Sequence, residues 1–152
     1  MKSPHSSVAC TEAYAPVIVI HRLAHAVAAL SEAAAAARPV VLLSAPAAGV
    51  SAGAGWFREI IEPARRAVPQ ALVTTLLDCG DDTGMAQAAI RAGVEGVVLT
   101  GRPEVMARLA EIAVQRGVNL VFERPVATLD LASQFFASPE ALRECCAIAL
   151  AS

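Results

Sequence analysis

Five short apolar runs, Val17 to Ile20, Val40 to Leu43, Ala71 to Leu77, Val94 to Leu99 and Val118 to Phe122, recur along the chain with helix-length segments between them. Successive strand residues point to opposite faces, so runs that carry apolar residues on both faces need cover on both sides. That requirement selects parallel strands packed under helices. The intervening segments carry helical periodicity. From Arg22 to Ala37, Leu23, Val27, Leu30 and Ala34 share one stripe, and Pro39 stops the helix. Trp56 to Ala67 is a second helix. Asp82 or Thr83 caps a third, with Met85, Ala86, Ala89 and Ile90 facing inward and Gly93 as its left-handed stop. Pro103 opens a fourth, built on Val105, Leu109 and Ile112 and ended by Gly117, and Ser138-Pro139-Glu140 opens the last, through Ala149. The expected class is α/β, with about five parallel strands alternating with helices. Both an open doubly wound sheet of the flavodoxin or Rossmann type and a partial TIM-type (β/α) barrel satisfy the pattern.

At 152 residues, the chain has enough length for one α/β domain, 17–152, behind a polar N-terminal segment, 1–16. With 17% charged residues and a net charge of −2, it lacks the basic excess that neutralises phosphates, so no nucleic-acid partner is expected. The 56% hydrophobic content is divided into strand-length runs interrupted by Arg38-Pro39, Glu62-Pro63 and Asp78, which leaves no membrane span. The start of the chain shows no apolar signal core, so the reading is cytoplasmic. Cys10, Cys79, Cys145 and Cys146 have no CxxC spacing and read as reduced, packed thiols.

Either architecture gathers chemistry at the C-terminal strand ends. These ends are His21, the stretch from Ser44 to Gly55, Asp78 to Asp82, Thr100-Gly101-Arg102 and Glu123-Arg124. Asp78 follows directly on a buried strand and is the candidate catalytic acid or base. Cys79 beside it is a candidate soft-metal ligand. Asp81 and Asp82 suit a helix start. Gly49, Gly53 and Gly55 lie in a strand-to-helix loop and are candidates for holding a phosphate on backbone amides, although their G-x-x-x-G-x-G spacing matches no established fingerprint. Arg102 and Arg124 are candidates for gripping an anionic ligand. His21 and His25 stand one helical turn apart, a spacing that suits a metal pair, but no HExxH motif accompanies them, and the alternative reading makes His25 a helix-surface residue.

The order of several short pieces resembles the N-terminal part of the class II fructose- and tagatose-bisphosphate aldolases. These pieces are RPVVLLSAPAAGVSAGAG, TLLDCGDD, AAIRAGVEGVVLTG, AEIAVQRGVNLVFERP and ASPEAL, between Val17 and Leu142. TLLDCGDD stands where that family carries its HLDHG signature. The resemblance implies that Asp78 matches the catalytic Asp, that Cys79 replaces a zinc-ligand His, and that Glu123 sits at a metal-associated Glu. It therefore implies a divalent metal such as zinc, with Cys79 and Glu123 as contacts. Thr100 stands where the family's DGS turn has Asp.

The matched pieces stop short of the family's remaining histidine ligands and phosphate loops, so ordinary aldolase activity in a single chain is not expected. The reading is an aldolase-like protein that binds a small anionic or phosphorylated ligand, with residual carbon-carbon lyase chemistry at most. The alternative is a non-catalytic binding, regulatory or oligomerisation module with a vestigial site. A flavodoxin-like carrier of flavin or nucleotide is a third class, which nothing in the loops demands. A half-barrel leaves two strand edges and an apolar inner face to cover, so a homo-oligomer is expected.

Overall fold

The structure is a computed structural model that describes residues 15–152; the expected polar segment 1–16 lies outside them except for Ala15 and Pro16, and so does Cys10. Six parallel strands form one sheet: β1 (Val17–Val19), β2 (Val40–Leu43), β3 (Val73–Asp78), β4 (Gly96–Val98), β5 (Asn119–Val121) and β6 (Leu129–Asp130). The helices are α1 (Leu23–Ala36), α2 (Ala48–Ser51), α3 (Gly53–Ala67), α4 (Thr83–Ala92), α5 (Pro103–Arg116) and α6 (Pro139–Ala151).

The strand order is β5-β4-β3-β2-β1-β6. From β1 to β5 each strand is added on the same side of the one before it. Right-handed crossovers that always step one way place their helices on a single face, as in a barrel. A doubly wound sheet reverses at a switch point, and none occurs between β1 and β5. Of the two architectures open at the level of sequence, the topology is therefore that of a partial barrel. Its ring stays open, because β6 pairs with β1 and not with β5.

The two sheet faces have separate cores. Ile18, Ile20, Leu42, Leu77, Val97 and Leu99 point outward and meet the helices in the main cluster. Val17, Val19, Val41, Leu43, Leu76 and Val98 point inward and pack among themselves. The register enforces this division, since Val19 pairs with Leu43 and Leu43 with Leu76. In the lower half of the inner face a cavity of about 680 Å³ is lined by Val17, Val41, Leu76, Val121, Val126 and their neighbours. The strand-end residues of β1 and β3, His21 and Asp78, do not line it.

The helix boundaries follow their local chemistry. Asp82 Oδ1 accepts the Met85 N–H at 3.0 Å, and Ser138 Oγ accepts the Ala141 N–H at 3.2 Å. Gly93 and Gly117 close α4 and α5 in the left-handed region, with φ of 80° and 69°.

Three details differ from the sequence expectation. The small-residue stretch from Gly49 to Gly55 is helical, with α2 and α3 meeting at Ala52. In α1 the buried face is His25, Ala26, Ala28, Ala29, Leu30 and Ala33, while Leu23 is exposed. This helix packs against both α3 and α6, and alanines allow that close approach where a stripe of larger residues would not. Finally, the expected loop after Arg124 contains β6 and a 3₁₀ turn, Leu131–Gln134. Among the described residues no helix is long and apolar enough to cross a membrane.

Candidate active site at the strand-end rim

The residues of interest lie where the parallel strands end. Asp78 closes β3 in register with Val98, an inner-face residue, so its carboxylate lies on the barrel's inner side. The carboxylate is buried and fully engaged. Oδ1 accepts the N–H of Gly80 at 2.7 Å and that of Ala47 at 3.1 Å. Oδ2 receives Arg124 Nη1 at 2.7 Å. Ser44, fully buried at the end of β2, accepts the Asp78 N–H on its hydroxyl at 2.9 Å. Asp78 thus ties the loops after β2, β3 and β5 together. Buried carboxylates are tolerated only when paired and hydrogen-bonded in this way.

Cys79 takes the opposite direction, as alternation along the chain requires. Its thiol lies fully buried in the helix-side core. A Cβ placed on Gly49 would fall 2.6 Å from that sulfur and 3.0 Å from the Asp78 carbonyl oxygen. Gly49 is therefore needed so that α2 can press against the end of β3. Burial, with the neighbouring Asp78 and Asp82 carboxylates, pushes the Cys79 pKa up to about 11. A thiol in that state is a poor nucleophile and a poor metal donor.

The other expected contacts scatter. Glu123 and Arg102 are exposed, and neither side chain has a partner among the described residues. Gly53 bridges the α2–α3 junction with φ +91°, and Gly55 lies in open space on α3. The amides of Ala47, Ala48, Val50, Ser51 and Ala52 are already bonded within the protein. The expected phosphate loop is in this respect a packed helical corner. For a resident divalent metal the donor set does not fit: Cys79 is in the core, Glu123 is in solvent, and among the described residues no three His, Cys, Asp or Glu side chains gather to hold an ion.

A second group occupies the other side of the rim, and here sequence reasoning named only the histidines. Asp130 ends β6 in register with Val19, again on the inner face. Its Oδ1 lies 2.7 Å from His21 Nε2 and also accepts the Ala132 N–H at 2.9 Å. Burial alone would raise the Asp130 pKa. The hydrogen bonds from His21 and Ala132, with the charges of His21 and Arg124, outweigh it and hold the group below the ordinary 3.8. Arg124 therefore acts on both carboxylates, paired with Asp78 and electrostatically close to Asp130.

His25 is not a surface residue: it is fully buried. Its Nδ1 accepts the backbone N–H of His21 at 3.1 Å, and its Nε2 faces the Gln134 carbonyl at 3.3 Å. An acceptor at Nδ1 and a donor at Nε2 define a neutral imidazole. Burial, with the charges of His21 and Arg22, keeps its pKa below 6.5 despite the opposing effects of the Gln134 carbonyl and Asp130. Arg22 donates to the Phe135 carbonyl at 2.6 Å, and its guanidinium lies 5.4 Å from the centre of the Phe135 ring. The start of α1 is thereby fastened to the segment that follows β6.

No described protein family matches the chain, and no curated protein matches it in sequence. In three dimensions it resembles the crystal structure of a protein provisionally named as a fructose-1,6-biphosphate aldolase from Coccidioides immitis. That likeness has a TM-score of 0.55 and 19% sequence identity over 75% of this chain. It covers 47% of the other protein, so the present chain spans about half that length. Identity at that level speaks for the fold alone: the chain is an α/β protein with an aldolase-like arrangement of parallel strands and helices.

Proposed function

We propose that this chain is an aldolase-like module whose strand-end rim binds a small anionic, phosphorylated ligand. The observation that carries the reading is Arg124. One guanidinium nitrogen is spent on Asp78, and the rest of its fork has no partner among the described residues. A guanidinium already held in place loses little freedom on gripping a phosphate or carboxylate. The structural neighbour's name mentions a sugar bisphosphate, which supplies a concrete probe. In a thermal-shift titration, fructose 1,6-bisphosphate should raise the melting temperature, by about 2.7 kcal/mol of added stability at a hundred times Kd. Arg124→Gln should abolish the rise. A wild-type melting curve unmoved by this ligand and by inorganic phosphate would overturn the reading.

A second reading rests on a different observation, the apolar inner face with its cavity of about 680 Å³ beside a β5 edge that no described strand covers. Uncovered apolar faces and strand edges favour association. On this reading the chain works as a homo-oligomer that closes the inner face between copies. Light scattering at micromolar concentration should then give a mass of at least twice 15.7 kDa. A monomeric mass would remove this reading and leave the ligand reading untouched.

A further inference from the structure

A rim that works on its ligand by proton transfer needs a base that is both held and open. Asp78 is held but not open, because both oxygens are engaged. Ser44 Oγ donates to the Ala45 carbonyl at 3.1 Å while accepting the Asp78 N–H. Thr100 Oγ1 donates to the Gly80 carbonyl. Cys79 and His25 are buried. Glu123 is open but nothing holds it. His21 alone among these meets both requirements. Its Nε2 is fixed against Asp130 Oδ1 at 2.7 Å, and its backbone N–H is fixed by His25. Its Nδ1 has no partner, and no buried polar side-chain atom among the described residues is unsatisfied, so this nitrogen opens to solvent.

We propose that His21 is the acid–base group of the rim, oriented by Asp130, and that Asp78 is scaffold. The arrangement has the logic of any carboxylate–imidazole pair. The carboxylate fixes the tautomer with Nε2 protonated, leaves the other nitrogen as the acceptor, and steadies the imidazolium once the proton arrives. Asp130 has the second supports that this task requires, the Ala132 amide and the Arg124 charge. This inference rests on the ligand reading above, which gives a phosphorylated compound; a base that takes a hydroxyl proton narrows it to one with a hydroxyl β to a carbonyl, as the sugar bisphosphate probe has.

The step balances without a cofactor. Nδ1 takes the proton of the β-hydroxyl, and the former O–H pair becomes a carbonyl π bond. The adjacent carbon–carbon bond breaks, and its electron pair passes into the substrate's own carbonyl to give an enolate. The imidazolium then returns the proton to the enolate carbon. Asp130 stays ionised throughout, and Arg124 supplies the nearby positive charge.

The test uses the whole chain with fructose 1,6-bisphosphate as probe. Wild type should cleave it above the uncatalysed rate. His21→Gln should lower kcat by about 10²–10⁴-fold with KM changed less than about twofold. Asp130→Asn should also act on kcat, and Asp130→Glu should recover part of the loss. Independently of activity, long-range ¹H–¹⁵N spectra at pH 9 should show His21 protonated on Nε2, with that preference lost in Asp130→Asn. Binding without cleavage, undiminished cleavage by His21→Gln, or an Nδ1-protonated His21 would each overturn the inference. Absence of binding by wild type would overturn the ligand reading and with it the substrate class assigned here.

Discussion

The two aspartates of the rim make an instructive pair. Both end a strand, face the inner side of the sheet, accept backbone N–H groups and feel Arg124. They differ in burial: the Asp78 side chain is 6% exposed and that of Asp130 is 49% exposed. In low dielectric a carboxylate must be satisfied completely, and the groups that satisfy it become part of the framework. In solvent a carboxylate can afford one soft partner, and that partner, His21, keeps a nitrogen free. Burial decides which aspartate supports the fold and which is left for chemistry.

Substitution should separate the two sharply. Asp78→Ala leaves Arg124, Ala47 and Gly80 without their acceptor, and urea unfolding should show a loss of about 3 kcal/mol. His25→Ala removes the bridge between the start of α1 and the 3₁₀ turn and opens a hole in the core. It should cost about 2 kcal/mol. Asp130→Ala should cost less than about 1 kcal/mol, because its pair with His21 is screened by water. Equal losses at the two aspartates would show that burial does not set their roles apart.

Acidification separates the buried and exposed groups as well. His25 has a lowered pKa in the fold, so below pH 6.5 the unfolded chain takes up a proton that the folded one refuses. Stability should be complete above 6.5 and decline as the pH falls from there towards the lowered folded value. In His25→Gln that part of the decline should be absent. The Asp130 contribution runs the same way in a lower window: it is present above 3.8 and lost as the pH falls through the depressed folded value. The smallest effect concerns the thiols. With iodoacetamide at pH 8, Cys79 and Cys146, buried and pushed up to about 11 and about 12, should remain unmodified in mass spectra while Cys145 reacts.

The Asp78 half of the rim was legible in the sequence and the Asp130 half was not, for physical reasons. β3 is a six-residue strand whose apolar positions announce it, and Asp78 stands at its end. β6 has two residues and no apolar run. It exists because the Thr128 N–H bonds to the Val17 carbonyl and the Val17 N–H to Thr128 Oγ1, contacts between residues 111 apart in the chain. No local pattern encodes such a pairing. A weak signal was present in Asp130, an aspartate two residues ahead of the N–H it accepts, as in an Asx turn. His25 was misplaced because alanine carries little weight in a hydrophobic stripe, so the larger Leu23 and Val27 drew the face towards themselves. The glycines between Gly49 and Gly55 suggested a loop, whereas one of them serves close packing against Cys79.

Native-state hydrogen exchange at single amides tests the central claim most directly. Gly80 and Ala47 are held by the buried Asp78, and Ala132 is held by the exposed Asp130. If Asp78 is framework, the first two amides exchange only through unfolding of most of the domain, while Ala132 exchanges through local opening at least about a hundredfold faster. Comparable protection at Ala132 and Gly80 would contradict the division of the rim into a structural half and a chemical half.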